Sequence, residues 1–324
     1  MLEGWFEPKD PAAELEVLGL APGSERELRG EAWSDAAAET LLGLRPSRGG
    51  GAADDAAAVA AFREALPEPR RDDGPRAFSG PLDRFLKLEA ARSSAALAAA
   101  VALADDLAAA LRGAKFMSGG LAAALAAVRR GETPDALAAA RPLGDWCAAV
   151  RAREAQLGAW LREGKPRSVW LPGLLDPHQF LAAARYDCFL NAPREGEIWA
   201  ATTRVSWTRH QSPGDVTDAD AALPGAHVHG LALYGAALDA DGGLEEIRRP
   251  DAEFERAGVL YVSARVADDP GPGVYEAPAY RTKHRKAEDL LFVVRFMCGA
   301  DRRKWLIRGP CLALDGSPSG DASG

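Results

Sequence analysis

Histidine, methionine and cysteine are scarce in this sequence of 324 residues, at five, three and four. The cysteines, Cys147, Cys188, Cys298 and Cys311, are far apart with no C-x-x-C pair, and each lies beside apolar residues. Buried, reduced thiols are therefore expected, rather than a zinc site or a disulfide framework. Positive charge is also in deficit. A net charge of −8 leaves no general basic face to release counterions from phosphates, which excludes a broad nucleic-acid surface. Long apolar runs are missing: nothing approaches the ~18 uninterrupted strongly apolar residues of a membrane span, because Asp105 and Asp106 break the alanine-rich run from Ala95 to Leu111. The opening decapeptide MLEGWFEPKD is acidic and lacks the apolar stretch of a secretory signal, so a soluble, cytoplasmic protein is expected.

What is present is enough to fold. Apolar residues make up 47% of the chain, and since alanine buries little area, the eight Trp and ten Phe should dominate the core. Residues 1–46 carry a short helical pattern with Trp33, Leu41, Leu42 and Leu44, interrupted by Gly49, Gly50 and Gly51. A helix is expected around Ala56 to Leu66, and the Pro-, Gly- and charge-rich stretch from Pro67 to Pro81 reads as a linker, which places a boundary near residue 80. From Leu82 to about Gly113, Phe85, Leu86, Leu97, Val101, Leu107 and Leu111 recur at helical spacing. Ser118 then offers an N-cap for a helix that Gly131 stops, and Thr133-Pro134 repeats the start signal. Leu143, Trp146, Val150, Leu157 and Leu161 mark a further amphipathic helix, and Asp176-Pro177 opens one containing Phe180, Leu181 and Ala184.

Beyond about Asn191 the apolar period shortens to two, the spacing of strands. Runs at Trp199 to Trp207, His229 to Leu233, Val259 to Val266, Leu290 to Cys298 and Trp305 to Leu314 are separated by turn signals such as Asp241-Gly242-Gly243. The sequence thus predicts an α+β fold: an N-terminal helical bundle, then an antiparallel, barrel-like sheet of about six strands. The division is 1–80, 81–190 and 191–314, with a disordered tail over 315–324, where DGSPSGDASG has nothing to pack.

Catalytic patterns are wanting. A phosphate-binding loop needs glycines and a lysine followed by Ser or Thr. Lys165 is followed by Pro166, and Gly49-Gly50-Gly51 has no lysine after it. His227-x-His229 puts two imidazoles on one strand face, a potential metal pair, but no Cys or carboxylate stands at a fitting offset. His178 belongs to a helix start, and Asp105-Asp106 and Glu245-Glu246 are adjacent acids that point in different directions. Arg281, Lys283, His284, Arg285 and Lys286 form the clearest local charge reversal, either a solvated loop or a dock for an acidic surface. No G-x-S-x-G elbow occurs. No catalytic, cofactor-binding or metal-ligating residue is assigned, and no cofactor is expected.

Several motifs, in order, resemble the C-terminal domain of dynein heavy chains. They begin with Phe85-Leu86-Lys87-Leu88-Glu89, Leu111-Arg112-Gly113 and Met117-Ser118, then Gly131-Glu132-Thr133-Pro134, Trp146 and Trp160-Leu161. The strongest runs from Trp170 to Leu181 (WLPGLLDPHQFL), similar to the family's W-L-x-G-x-x-x-P-x-x-F-L. Gly230 to Ala236 (GLALYGA), Tyr275 to Thr282 (YEAPAYRT), Phe292-Val293-Val294 and Trp305 to Gly309 (WLIRG) complete the series. Leu18 to Ser24 looks like a piece of the sixth AAA+ module, which would make residues 1 to about 80 part of its small helical subdomain. Departures are the missing tryptophans at Asp135-Ala136-Leu137 and Ala237-Leu238-Asp239, and the alanines 182–184.

The resemblance implies a structural and regulatory cap on the AAA+ ring of an ATP-driven, minus-end-directed microtubule motor, without catalysis in this chain. It implies the ring as partner in cis, light and intermediate chains through the complex, and microtubules only indirectly, in the cytoskeleton or ciliary axoneme. Nucleic acid and membrane are not expected partners. The competing readings are a stand-alone module binding a ligand in a barrel lined by Trp199, Trp207 and Tyr234, and a diverged enzyme with His227 or His229 near a carboxylate.

Overall fold

The computed structural model describes residues 52–70, 80–137, 142–191, 201–247, 254–266, 271, 273–299 and 302–315. All but Ala52 and Ala53 of these belong to one compact unit, Asp54–Gly324. The expected features at Trp33 to Leu44, Gly49 to Gly51 and Trp199, and the tail beyond Asp315, lie outside the described residues.

Helices α1 (Ala52–Ala65), α2 (Pro81–Leu111), α3 (Gly119–Arg130), α4 (Leu143–Glu163) and α5 (Pro177–Asn191) come first. Their limits follow the local chemistry. Pro81 opens α2 where its missing N–H is not needed, and Ser118 Oγ accepts the N–H of Leu121 at 3.3 Å to cap α3. Gly131 ends α3 at φ 73°, the left-handed conformation that glycine reaches without strain. On α2 the buried positions Leu82, Phe85, Leu86, Glu89, Ser93, Leu97, Ala100, Ala104 and Leu107 fall three or four apart, save for the adjacent Phe85 and Leu86, a single stripe along the helix. Only a short 3₁₀ turn, Asp135–Leu137, follows Thr133-Pro134 among the described residues.

The stripe on α2 serves two cores. Leu82, Phe85 and Leu86 join the sheet core, whereas Leu97, Ala100, Ala104 and Leu107 pack with Val59, Phe62, Leu66, Leu125 and Val128 in a separate helical core. Helix α4 divides in the same way, giving Leu157 and Trp160 to the sheet core and Trp146, Cys147 and Val150 to the helical one. Thus α2 and α4 are the two beams that join the cores. By length and composition α2 is also long and apolar enough to cross a membrane; Leu82, Phe85, Leu86, Leu97 and Leu107 are the large side chains that it buries in these contacts, and Leu88 is exposed.

The strands are β1 (Val169–Trp170), β2 (Ala201–Trp207), β3 (Ala226–His229), β4 (Leu231–Tyr234), β5 (Ala237–Leu238), β6 (Leu244–Glu245), β7 (Phe254–Arg256), β8 (Leu260–Val266), β9 (Val274–Tyr280), β10 (Leu290–Met297) and β11 (Cys311–Leu314), with short helices α6 (Asp218–Ala221) and α7 (Arg302–Arg308) among them. Nine form one sheet in the order β1-β3-β8-β2-β10-β9-β11-β4-β7, and β5 and β6 form a ribbon. Strands β3 and β4 are separated by Gly230 alone yet lie next to opposite ends of the sheet, so the sheet must curl back on itself as a half-barrel. Gly230 turns this corner at φ 89°.

The expected α+β class is present, and the sheet corrects the prediction in three respects. Among the described residues it has nine strands rather than about six. It is mixed: β1 with β3, β10 with β2, and β11 with β9 are parallel pairs. Parallel partners far apart in sequence leave no mark on side-chain alternation, so the expectation of a purely antiparallel sheet had no support in the pattern. The Trp305 to Leu314 run is not one strand but α7 followed by β11, with Gly309 donating its N–H to Trp305 O at 2.9 Å as the helix ends. A short apolar run beside a glycine fits either period.

Register decides what fills the curl. Val205 lies opposite Val262 and Val294, Val262 opposite Ala226, Val294 opposite Ala277, and Phe292 opposite Ala279, which is itself opposite Leu312. All of these are buried. Small Ala277 and Ala279 on β9 leave room for the rings of Phe292 and Phe296 on β10. On the opposite face of β10, Val293 and Met297 are exposed. Phe296→Ala is expected to lower the unfolding free energy by about 3–5 kcal/mol, and Val293→Ala, three positions away on the outer face, by less than about 0.5 kcal/mol. Urea melts of equal midpoint for the two variants would refute this register.

Candidate functional site

The residues singled out in the sequence do not converge. His227 is buried, with its ring 4.9 Å from that of Tyr261 and 6.3 Å from that of His210. His229 instead hydrogen-bonds Ser168 Oγ through Nδ1 at 2.8 Å. The two imidazoles of the candidate metal pair thus serve different partners, and no group of three metal-ligating side chains occurs among the described residues. Lys165 Nζ donates to the carbonyls of Leu223 at 3.1 Å and Gly225 at 2.9 Å. His178 is exposed in the first turn of α5, where Asp176 Oδ1 accepts the N–H of Gln179 at 3.0 Å. Asp105 pairs with Arg63 at 3.4 Å, Asp106 with Lys115 at 2.5 Å, and Glu246 with Lys304 and Arg308. The four cysteines are buried thiols, with no disulfide among them. Of the aromatics proposed to line a barrel pocket, Trp207 packs over Gly242, and Tyr234 faces Phe254 at 5.4 Å.

Burial shifts several of these groups. It pulls the His229 pKa down to about 4 and depresses that of His227, where Asp220 opposes the effect and His210 and Lys165 reinforce it. The Tyr261 hydroxyl, donated to Pro224 O, is pushed up to about 12 by burial, then by Cys188 and Asp187.

What does converge is the segment from Trp170 to Asp176. Its backbone is held from three directions. Gln156 on α4 accepts from Trp170 N at 2.6 Å and donates to Trp170 O at 3.2 Å, and Arg153 donates to Gly173 O at 2.6 Å. Glu89 on α2, fully buried, accepts the N–H of Leu175, while Arg281 reaches Leu175 O at 3.4 Å from beyond the end of β9. The Trp170 ring lies against both Gly173 and Gly230, and a Cβ on either would overlap it. Gly230 therefore both bends the chain between β3 and β4 and clears space for the indole.

Burial raises the Glu89 pKa above the usual carboxylate value, against the Leu175 N–H, Arg153, the Asp176 N–H and Arg92. A second buried acid lies nearby on α4: Glu154 accepts Ser93 Oγ–H at 2.5 Å and pairs with Arg70 Nε at 3.0 Å. Arg70 also donates to Ala90 O at 2.8 Å and Ser94 Oγ at 3.0 Å, fastening the end of the α1 connection to α2. The aromatic rings of Phe85, Trp160 and Phe180 meet just below, with centroids 5.5–6.3 Å apart. Sequence reasoning missed the roles of Glu89 and Glu154. The available signal was an acid on an apolar helix face, since Glu89 lies four residues after Phe85 and three after Leu86.

These contacts define an α+β scaffold in which buried polar groups fasten helices to a curled sheet. The family model for the C-terminal domain of the dynein heavy chain matches residues 34–314. The sequence is 33% identical over 178 residues, 54% of its length, to the dynein beta chain of the flagellar outer arm of Chlamydomonas reinhardtii. It is 26% identical over 320 residues, 93% of its length, to human dynein axonemal heavy chain 8, and 36% identical over 143 residues, 43% of its length, to the Chlamydomonas flagellar outer-arm dynein alpha chain. It spans 4%, 7% and 3% of those relatives respectively. The protein belongs to the family of C-terminal domains of dynein heavy chains.

Gly173→Ala should force the Trp170 indole out of its slot and cost about 1–3 kcal/mol or more of stability; an unchanged thermal midpoint and unchanged tryptophan fluorescence would refute the slot. His229 contributes a pH dependence of its own. A base with a depressed folded pKa contributes stability that is present above about pH 6.5 and lost as pH falls toward about 4. Relative to His229→Gln, the wild-type chain should lose about 3 kcal/mol across that window. A constant difference between the two proteins from pH 7 to pH 4 would contradict it.

Proposed function

We propose that this protein is the C-terminal cap of an axonemal dynein heavy chain, a structural and regulatory domain of an ATP-driven, minus-end-directed microtubule motor, with no catalytic activity of its own. The reading rests on the meeting of the family-like motifs at one joint: FLKLE through Glu89, WLPGLLDP through Trp170 and Leu175, GLALYGA through Gly230, and YEAPAYRT through Arg281. A domain built to carry load between a helical and a sheet core places its most specific residues in such a joint. The side chains that a nucleotide or metal site would use are tied to structure instead, Lys165 to two carbonyls and His229 to Ser168.

On this reading residues 1 to about 80 continue from the small helical subdomain of the sixth AAA+ module, residues 81–190 are the helical part of the cap, and 191–314 its β part. The direct partner is the AAA+ ring in cis. Light and intermediate chains and microtubules are reached through the complex, in the cytoskeleton of the ciliary axoneme. Regulation requires that the cap make different contacts in two states of the ring.

Two measurements test the proposal. The purified protein should hydrolyse no ATP above a buffer control, and turnover abolished by a substitution within it would overturn the non-catalytic part. A full-length dynein motor with Glu89→Ala should retain ATPase activity while its microtubule gliding velocity changes. Gliding and ATPase both indistinguishable from wild type, with the joint shown to be loosened by hydrogen exchange, would overturn the regulatory part.

A further inference from the structure

The strongest departure from the acidic character of the protein is assembled from two segments. The turn after β9 presents Arg281, Lys283, His284, Arg285 and Lys286, all exposed. Further along the sequence, α7 carries Arg302, Arg303, Lys304 and Arg308. The two are adjacent: Arg285 Nη1 donates to Gly309 O at 3.4 Å, at the end of α7. Eight Lys and Arg residues thus gather on one patch of a protein whose net charge is −8. Its acids offset this only in part. Glu246 pairs with Lys304 and Arg308, and Asp289 accepts the Thr282 hydroxyl at 2.8 Å.

The patch is also apolar at its centre. Trp305 pins α7 to the sheet core at 4% exposure, which turns Leu306 and Ile307 outward at 60% and 82% exposure. Few of the described positions leave a large aliphatic side chain so open, and here two stand side by side between basic residues. Arg285 adds a further sign of constraint. It is the one described non-glycine residue at positive φ, 54°, a conformation disfavoured for its side chain and held by the bond to Gly309 O. Such a turn is kept in shape rather than left to solvent.

We propose that the turn 281–286 and helix α7 form a docking surface for an acidic polypeptide segment that carries aliphatic side chains among its carboxylates. The carboxylates would meet Arg281, Lys283, Lys286, Arg302 and Arg303, and an aliphatic side chain would cover Leu306 and Ile307. Charge complementarity selects this occupant. Two exposed aliphatic residues are wasted against a phosphate backbone, and they are too few to anchor the patch in a bilayer. The inference does not depend on the cap reading, since it rests on charge and exposure alone.

Fluorescence anisotropy of the full protein with a labelled peptide alternating Glu and Leu tests it, against an all-Glu peptide, duplex DNA and anionic phospholipid vesicles. The Glu/Leu peptide should bind most tightly, and binding should weaken several-fold as salt is raised from roughly 50 to roughly 300 mM. Arg302→Glu with Arg303→Glu should weaken binding at least tenfold, and Leu306→Ser with Ile307→Ser should reduce the preference for Glu/Leu over all-Glu. All four positions are solvent-exposed, so thermal midpoints should stay near wild type; Lys165→Gln, outside the patch, should bind normally. No binding of the Glu/Leu peptide, equal binding by the charge-reversed variant, or tighter binding to DNA or vesicles would each overturn the proposal.

Discussion

The structure depends on two buried carboxylates at the waist between its cores. Glu89 and Glu154 are 0% and 6% exposed, and each is placed where the apolar stripes of α2 and α4 pass from the helical core to the sheet core. A charge taken out of water must be met by donors or it neutralises. Leu175 N–H and the arginines nearby serve Glu89, and Ser93 and Arg70 serve Glu154. Because those partners come from separate stretches of sequence, the bonds to Glu89 Oε1 and to Glu154 tie the α1 connection, both long helices and the Trp170–Asp176 segment to one another, while Glu89 Oε2 has no hydrogen-bond partner among the described residues. Apolar packing alone would tolerate sliding of one helix past another; a buried acid with directional partners does not.

The Trp170 segment carries the constraint into the sheet. Its backbone is held by Gln156, Arg153 and Glu89, while its ring occupies a slot that exists only because Gly173 and Gly230 lack side chains. Gly230 is also the bend between β3 and β4, so the residue that lets the sheet curl is the one that admits the indole. The curl and the joint are therefore coupled geometrically. A domain that must pass a displacement from helices to sheet has a short, stiff route here, of a few side chains in contact, and the proposed role as a cap draws on that stiffness.

The outward faces differ from the joint. At the joint, buried carboxylates, an arginine and backbone groups from separate elements bond to one another, although Glu89 Oε2 and Trp170 Nε1 have no hydrogen-bond partner among the described residues; outside, the turn 281–286 and α7 present basic side chains and two bare aliphatic ones, anchored from beneath by Trp305. An interior built for rigidity and a surface with unspent charge are what a domain needs if it is to be held by something else.

Much of this was legible in the sequence. Periodicity located α2, α4, α5 and the strands β2, β8 and β10, because alternation and 3.6-residue spacing are local consequences of burying one face. Ser118, Gly131 and Asp176-Pro177 marked helix ends because capping is likewise local. The order of motifs carried the family. Tertiary structure alone decided the parallel pairings, the helical form of Trp305 to Arg308, the separation of His227 from His229 into different environments, and the roles of Glu89, Glu154 and Gly230. Each of these turns on which distant residue arrives opposite, and a one-dimensional pattern records how often a side chain is buried but not what it is buried against.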